Sequence, residues 1–129
     1  MRYSMIRLLL VDDQAALRHG LAMRLAIEKD IVVIGEASNG KEAIDLASSL
    51  APDVVLMDIE MPVMDGIKAT HMLRNVAPAC AVVILSIHDD GDTRQKALNA
   101  GAFAFVGKYE TIDLLLSTIR EAGQGKVKS

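Results

Sequence analysis

The sequence predicts an α/β domain on a parallel sheet of about five strands. Three observations carry that prediction. Short apolar runs rich in Val, Ile and Leu recur along the chain, as strands buried on both faces require. Segments of helical periodicity separate them, and strands alternating with helices imply right-handed crossovers in one parallel sheet. Acidic residues then close two of the runs, where a strand delivers side chains to the C-terminal edge of an open sheet and where such folds bind ligands.

In chain order, the first strand is expected over residues 5–11 and runs into Asp12 and Asp13. Leu17, Leu21 and Leu25 recur every four residues and mark the first helix. The second strand is expected over residues 31–37, and Ala43, Ile44, Ala47 and Leu50 mark a helix that Pro52 stops. Residues 53–57 form a third run, closed by Asp58, before a helix carried by Ile67, Met72, Leu73 and Val76 and stopped ahead of Pro78. Residues 81–85 form the fourth run, and Ala97, Leu98 and Ala100 mark a helix with Gly101 at its C-terminal cap. The fifth strand is expected over residues 103–106. Ile112, Leu115, Leu116 and Ile119 mark a last helix ending near Gly123. One domain over residues 1–123 and a linker-like tail over 124–129 follow, the tail leading to an output domain outside this chain.

Composition narrows the class. At 129 residues, 51% hydrophobic and 24% charged, the chain can bury a real core. No apolar run reaches the length of a membrane span, and Met1-Arg2-Tyr3-Ser4 is too short and polar to be a signal peptide. The single cysteine, Cys80, opens the fourth apolar run and reads as a small core residue; one cysteine excludes a disulfide framework, so the cytoplasm is the expected compartment. A net charge of −3 and the absence of Trp do not suggest a nucleic-acid surface.

Asp12, Asp13 and Asp58 gathered at one edge repel one another unless a cation joins them. A hard cation such as Mg²⁺ takes carboxylates, water and phosphate oxygens as ligands. Singly, each has a plainer reading, with Asp13 as the cap of the first helix and Asp58 as the start of a loop. Ser86 follows the fourth run and Lys108 ends the fifth, so both reach the same edge. A hydroxyl, an ammonium and a metal ion together can neutralise the equatorial oxygens of a phosphoryl group. Alone, Ser86 reads as a cap and Lys108 as a solvated loop lysine. Together the five residues point to phosphoryl chemistry.

Val11-Asp12-Asp13, the segment Met57-Asp58-Ile59-Glu60-Met61-Pro62-Val63-Met64-Asp65-Gly66, the pair Leu85-Ser86 and the stretch from Gly101 to Lys108 resemble a response-regulator receiver domain of two-component signalling. The stretch from Gln14 to Leu21 resembles the subfamily with a C-terminal LuxR-type helix-turn-helix output domain. The resemblance implies the doubly wound, flavodoxin-like receiver fold with strand order 2-1-3-4-5, an order for which a receiver protein is itself a standard illustration. It implies Asp58 as phosphoacceptor, with the phosphoryl group coming from the phosphohistidine of a histidine kinase. It implies Mg²⁺ held by Asp12, Asp13, Asp58 and the backbone carbonyl of Glu60, phosphoryl oxygens bound by Ser86 and Lys108, and a switch pairing Ser86 with Phe105. Phe105 also reads as a plain core aromatic.

The resemblance further implies a homodimer on phosphorylation, through the fourth-helix face or through the first and last helices, and contact with DNA only through an output domain outside this chain. The expected protein is thus a switch rather than a dedicated enzyme, promoting its own Mg²⁺-dependent phosphorylation and dephosphorylation. Two other classes stay open: a phosphohydrolase using Glu60, two residues after Asp58, as general acid, and an interaction module that keeps only the fold. The chain departs from the family pattern at Ile87, where a small residue is common, and at Tyr109, where proline is common and whose peptide bond is therefore expected to be trans. His88 is expected at the site entrance or solvated in its loop.

Overall fold

Five strands alternate with five helices over the described residues of this computed structural model, 5–127 for the backbone and 5–124 for the side chains. The elements are β1 Ile6–Val11, α1 Ala15–Leu25, β2 Ile31–Ala37, α2 Gly40–Leu50, β3 Val54–Met57, α3 Gly66–Val76, β4 Ala81–Ser86, α4 Gly91–Ala100, β5 Ala104–Gly107 and α5 Ile112–Val127. All strand pairs are parallel, in the order β2-β1-β3-β4-β5. The doubly wound α/β fold is therefore as expected. No described helix is long and apolar enough to cross a membrane.

Alternation along each strand divides the core in two. Leu9, Val11, Val55, Met57, Val82, Ile84 and Phe105 face α2, α3 and α4, against Ala43, Ala47, Ala69, Leu73 and Ala97. Leu8, Leu10, Val54, Leu56, Val83 and Val106 face α1 and α5, against Leu25, Leu115, Leu116 and Ile119. Successive side chains on a strand point to opposite faces, so a strand covered on both sides is apolar throughout. That is why the runs were continuous rather than alternating.

Four helices start on side-chain caps: Asn39 accepts from Glu42 N, Asp65 from Lys68 N, Asp90 from Thr93 N and Thr111 from Leu114 N. Each satisfies an amide with no partner inside the helix. Gly101 ends α4 at φ 113°, the left-handed conformation expected of it.

Several expectations are corrected. The helix α5 does not end near Gly123 but runs to Val127; residues 128 and 129 of the expected tail lie outside the described residues. Gly123 is a contact residue, since a Cβ there would stand 2.7 Å from the Ile6 side chain. Smallness brings α5 against β1, and the helix continues. Along α1, Leu25 is fully buried but Leu17 is 52% exposed, in the wall of an open cleft beside Asp13 and Gln14. The strand β4 extends to Ser86, and β5 begins at Ala104, leaving Phe103 48% exposed. Cys80 is half-buried, packed against the α2–α3–α4 side of the core. One expectation holds here: the Lys108–Tyr109 peptide is trans.

Candidate functional site

The acidic residues sit where the ladders of β1 and β3 run one residue past the strands. Asp12 N donates to Ala37 O at 3.1 Å, and Asp58 N donates to Val11 O at 3.0 Å. The main chain of three neighbouring strands thus fixes both aspartates. Asp12 and Asp58 are buried and Asp13 is exposed, and carboxylate oxygens of the three lie within 4.8 Å of one another. Asp13 does not cap α1: the cap is Gln14, with no side-chain cap bond.

Lys108 reaches this cluster from the end of β5. Its Nζ donates to Asp12 Oδ2 at 3.0 Å and to Asp58 Oδ2 at 3.4 Å. It is an ion-pair partner of the site, not a solvated loop lysine. The remaining oxygens are held locally: Asp12 Oδ1 accepts from Gln14 N at 2.9 Å, and Asp58 Oδ1 accepts from Ile59 N at 2.8 Å.

Burial pushes the Asp58 carboxyl above the usual aspartate range. The Lys108 ammonium pulls it down and the neighbouring Asp12 charge pushes it up again, leaving burial dominant. Burial alone would lower Lys108. Its hydrogen bond to Asp12 and the two carboxylate charges outweigh that and hold it above its ordinary value, so it is a cation at neutral pH.

The loop after β3 is held tightly against Asp58. Gly66 N donates to Ile59 O at 2.8 Å, and a Cβ on Gly66 would stand 2.1 Å from Asp58 O. No other residue permits that approach without moving the loop. Asp65 caps α3, and Asp13, Gln14, Leu17, Asp58, Glu60, Met61, Ile87, His88 and Lys108 are among the residues lining one open cleft.

The other expected residues are placed less uniformly. Glu60 lines the cleft mouth, and its side chain pairs with His88 Nε2 at 2.5 Å. Ser86 is fully buried at the end of β4, and its Oγ accepts from His88 N at 3.0 Å. Its carbonyl accepts from Lys108 N at 2.8 Å, so the two strand ends that carry Ser86 and Lys108 are tied together. Phe105 points inward at 7% exposure, with the Arg94 guanidinium 4.7 Å from its ring centre. Ile87 projects into the cleft wall at 64% exposure.

Sequence reasoning missed three features. Arg18 donates from α1 to the Asp12 carbonyl at 2.5 Å and to Glu36 at 2.9 Å. The Glu60–His88 pair spans two loops. Asp89 accepts from both Arg94 and Tyr109, joining the loop after β4 to the residue after Lys108. Each pair joins separate elements, and periodicity carries no signal for such contacts; only the unusual Tyr109 marked its place.

Carboxylates of this number and spacing, two of them buried, fit a hard divalent cation with room for phosphate oxygens. Comparisons with known proteins bear on the family. The response regulator receiver domain profile matches residues 8–120. The transcriptional regulatory protein LiaR of Bacillus subtilis is 40% identical over 124 residues, covering 96% of this chain and 59% of LiaR. A protein-glutamate methylesterase/protein-glutamine glutaminase of Methanosarcina acetivorans is 41% identical over 107 residues, covering 82% of this chain and 31% of that protein. The chain therefore spans less than two thirds of either relative. The signal receiver domain of the putative response regulator NarL from Mycobacterium tuberculosis superposes with a TM-score of 0.90 at 30% identity, covering 95% of this chain and 98% of that domain. A profile spanning nearly the whole fold, relatives of this identity and a solved receiver domain of the same fold lead to one conclusion: the chain belongs to the response regulator receiver domain family.

Proposed function

We propose that this domain is a phosphorylation-controlled switch whose phosphoacceptor is Asp58. One observation carries the reading: the three carboxylates of Asp12, Asp13 and Asp58 meet within 4.8 Å at the strand ends, with the Lys108 ammonium bonded to two of them. An Asp58 oxygen forms a bond to phosphorus while the phosphorus–nitrogen bond of a histidine kinase's phosphohistidine breaks. The product is an acyl phosphate on Asp58. Asp12, Asp13, Asp58 and the Glu60 carbonyl would hold Mg²⁺, which supplies charge neutralisation for the transferring group. Lys108 binds one phosphoryl oxygen.

Ser86 binds another after its hydroxyl leaves the His88 amide, and Phe105 responds in the space next to it. A local charge change biasing a two-state element is a general switching mechanism. On this reading the chain is no dedicated enzyme, acts in the cytoplasm, and forms a homodimer on phosphorylation. Its output is transcription, through a LuxR-type DNA-binding domain outside this chain; the likeness to LiaR, a transcriptional regulatory protein, supports that output.

The test is intact-mass spectrometry after incubation with acetyl phosphate and Mg²⁺, beside Asp58→Asn and an EDTA control. One phosphoryl group added in a metal-dependent manner, and absent from the variant, is the expected result. No adduct with the donor and no binding of beryllofluoride would sink the reading.

A further inference from the structure

We propose that Arg18 is a positioning residue for the divalent-cation site, acting through the Asp12–Asp13 peptide and itself held in place by Glu36. This inference rests on the phosphoacceptor reading above and deepens it.

The Asp12 carbonyl belongs to the peptide that joins the two consecutive aspartates. Its orientation sets where both side chains begin. Arg18 Nη1 donates to that carbonyl at 2.5 Å, from α1 and outside the acidic cluster. Asp12 is thereby fixed from four sides: its amide by Ala37 O, its carbonyl by Arg18, Oδ1 by Gln14 N and Oδ2 by Lys108.

The guanidinium is itself braced. Arg18 Nε donates to Glu36 Oε1 at 2.9 Å, and the Arg18 side chain is only 14% exposed. Glu36 lies on β2, paired with Leu10 of β1, so the brace crosses from one strand to the loop that follows its neighbour. Glu36 also faces His19, whose Nε2 lies 3.7 Å away. The planar guanidinium can serve two acceptors in fixed directions, which an ammonium cannot reproduce.

A bare charge effect has the opposite sign from a positioning effect. Arg18 is a cation near a cation site, so removing it should tighten Mg²⁺ if charge were its only influence. Its pairing with Glu36 largely cancels that charge and leaves the hydrogen bond to the carbonyl as its contribution. Partners that orient metal ligands typically change metal affinity by about 10–100-fold when removed.

The experiment is a calorimetric Mg²⁺ titration of the whole chain as wild type, Arg18→Ala, Arg18→Lys and Glu36→Gln. Circular dichroism confirms folding, and acetyl phosphate labelling of Asp58 is followed across Mg²⁺ concentrations. The expected result is about tenfold weaker Mg²⁺ binding in Arg18→Ala, at the low end of that range. Its labelling should reach the wild-type level once Mg²⁺ saturates. Arg18→Lys should recover only part of the loss, and Glu36→Gln should weaken binding less than Arg18→Ala.

Unchanged or tighter Mg²⁺ binding in Arg18→Ala overturns the proposal, even though the wild type binds Mg²⁺ and is labelled. If Arg18→Ala does not fold, Glu36→Gln decides, and wild-type affinity there overturns the proposal. If the wild type neither binds Mg²⁺ nor is labelled, the phosphoacceptor reading fails and this inference falls with it.

Discussion

Lys108 sits closer to Asp12 than to Asp58, at 3.0 Å against 3.4 Å. The ammonium occupies the space between two carboxylates that a metal ion would also neutralise. Lys108→Ala is therefore expected to bind Mg²⁺ several-fold more tightly while accepting a phosphoryl group more slowly. Thermal denaturation with and without Mg²⁺ checks the first half: the ion should raise the variant's Tm by more than it raises the wild type's. Equal shifts would show that lysine and metal do not share the pocket.

Gly66→Ala is expected to damage the site and the fold together. Its Cβ would stand 2.1 Å from the Asp58 carbonyl oxygen, so the loop after β3 must move. Forcing atoms into such a space costs about 1–3 kcal/mol. Urea unfolding should show the lost stability and a Mg²⁺ titration the weakened site. Full retention of both would mean that the loop is looser than its geometry suggests.

Ile119→Ala probes stability apart from function. Ile119 is fully buried between α5 and the sheet, against residues such as Leu8, Leu10 and Val54. Truncation is expected to cost about 2–5 kcal/mol, read from the urea midpoint at constant slope. Asp58 should still be labelled by acetyl phosphate at low temperature, where the variant remains folded.

Arg120 fastens α5 to the turn before β2. Its guanidinium bonds Asp30 at 2.7 and 2.9 Å and Glu28 at 2.7 Å. Those hydrogen bonds hold the Asp30 carboxyl below its usual range, and bonds from Arg24 and Arg120 do the same for Glu28. A carboxylate whose folded-state pKa is depressed contributes stability above its unfolded value and loses it as pH falls through the folded one. Arg120→Ala should thus be less stable than wild type at pH 7, by much less than a core truncation, since the pairs are partly exposed. The two unfolding curves should converge in acid, below the ordinary carboxylate range. A gap that persists there would assign the loss to packing of the arginine stem.

Ile87 forms part of the cleft wall and is 64% exposed, so its removal should cost little stability. Ile87→Ala is expected to accept phosphoryl groups from acetyl phosphate faster, because a small donor gains room beside Asp58. Time-resolved intact mass reads the rate. An unchanged rate would place the barrier elsewhere.

The strands were legible because a strand covered on both faces is apolar at nearly every position, as in β3, and the edge residues were legible because they end those runs. What escaped depended on tertiary neighbours. Glycine reads equally as a helix stop or as a small contact, and only Ile6 against Gly123 decides between them. Leu17 fits the α1 stripe, yet it lies in the cleft wall rather than in the core. Ser86 was placed at the correct edge, but its burial and its bond to the His88 amide are set by the loop's path. Arg18 looked like any surface arginine, since its partners, the Asp12 carbonyl and Glu36, lie in other elements.

The Lys108–Asp12 bond joins residues 96 positions apart, across the sheet from the first strand to the last. A contact of that range must offset a large loop-closure entropy before it stabilises the fold. During synthesis from the N-terminus, the aspartates emerge well before the lysine that offsets their repulsion. The nascent domain therefore carries an unbalanced acidic edge until its final strand arrives. Competence to receive a signal comes with the closing step of assembly, and a chain cut short before Lys108 would lack it, however much of its core had formed.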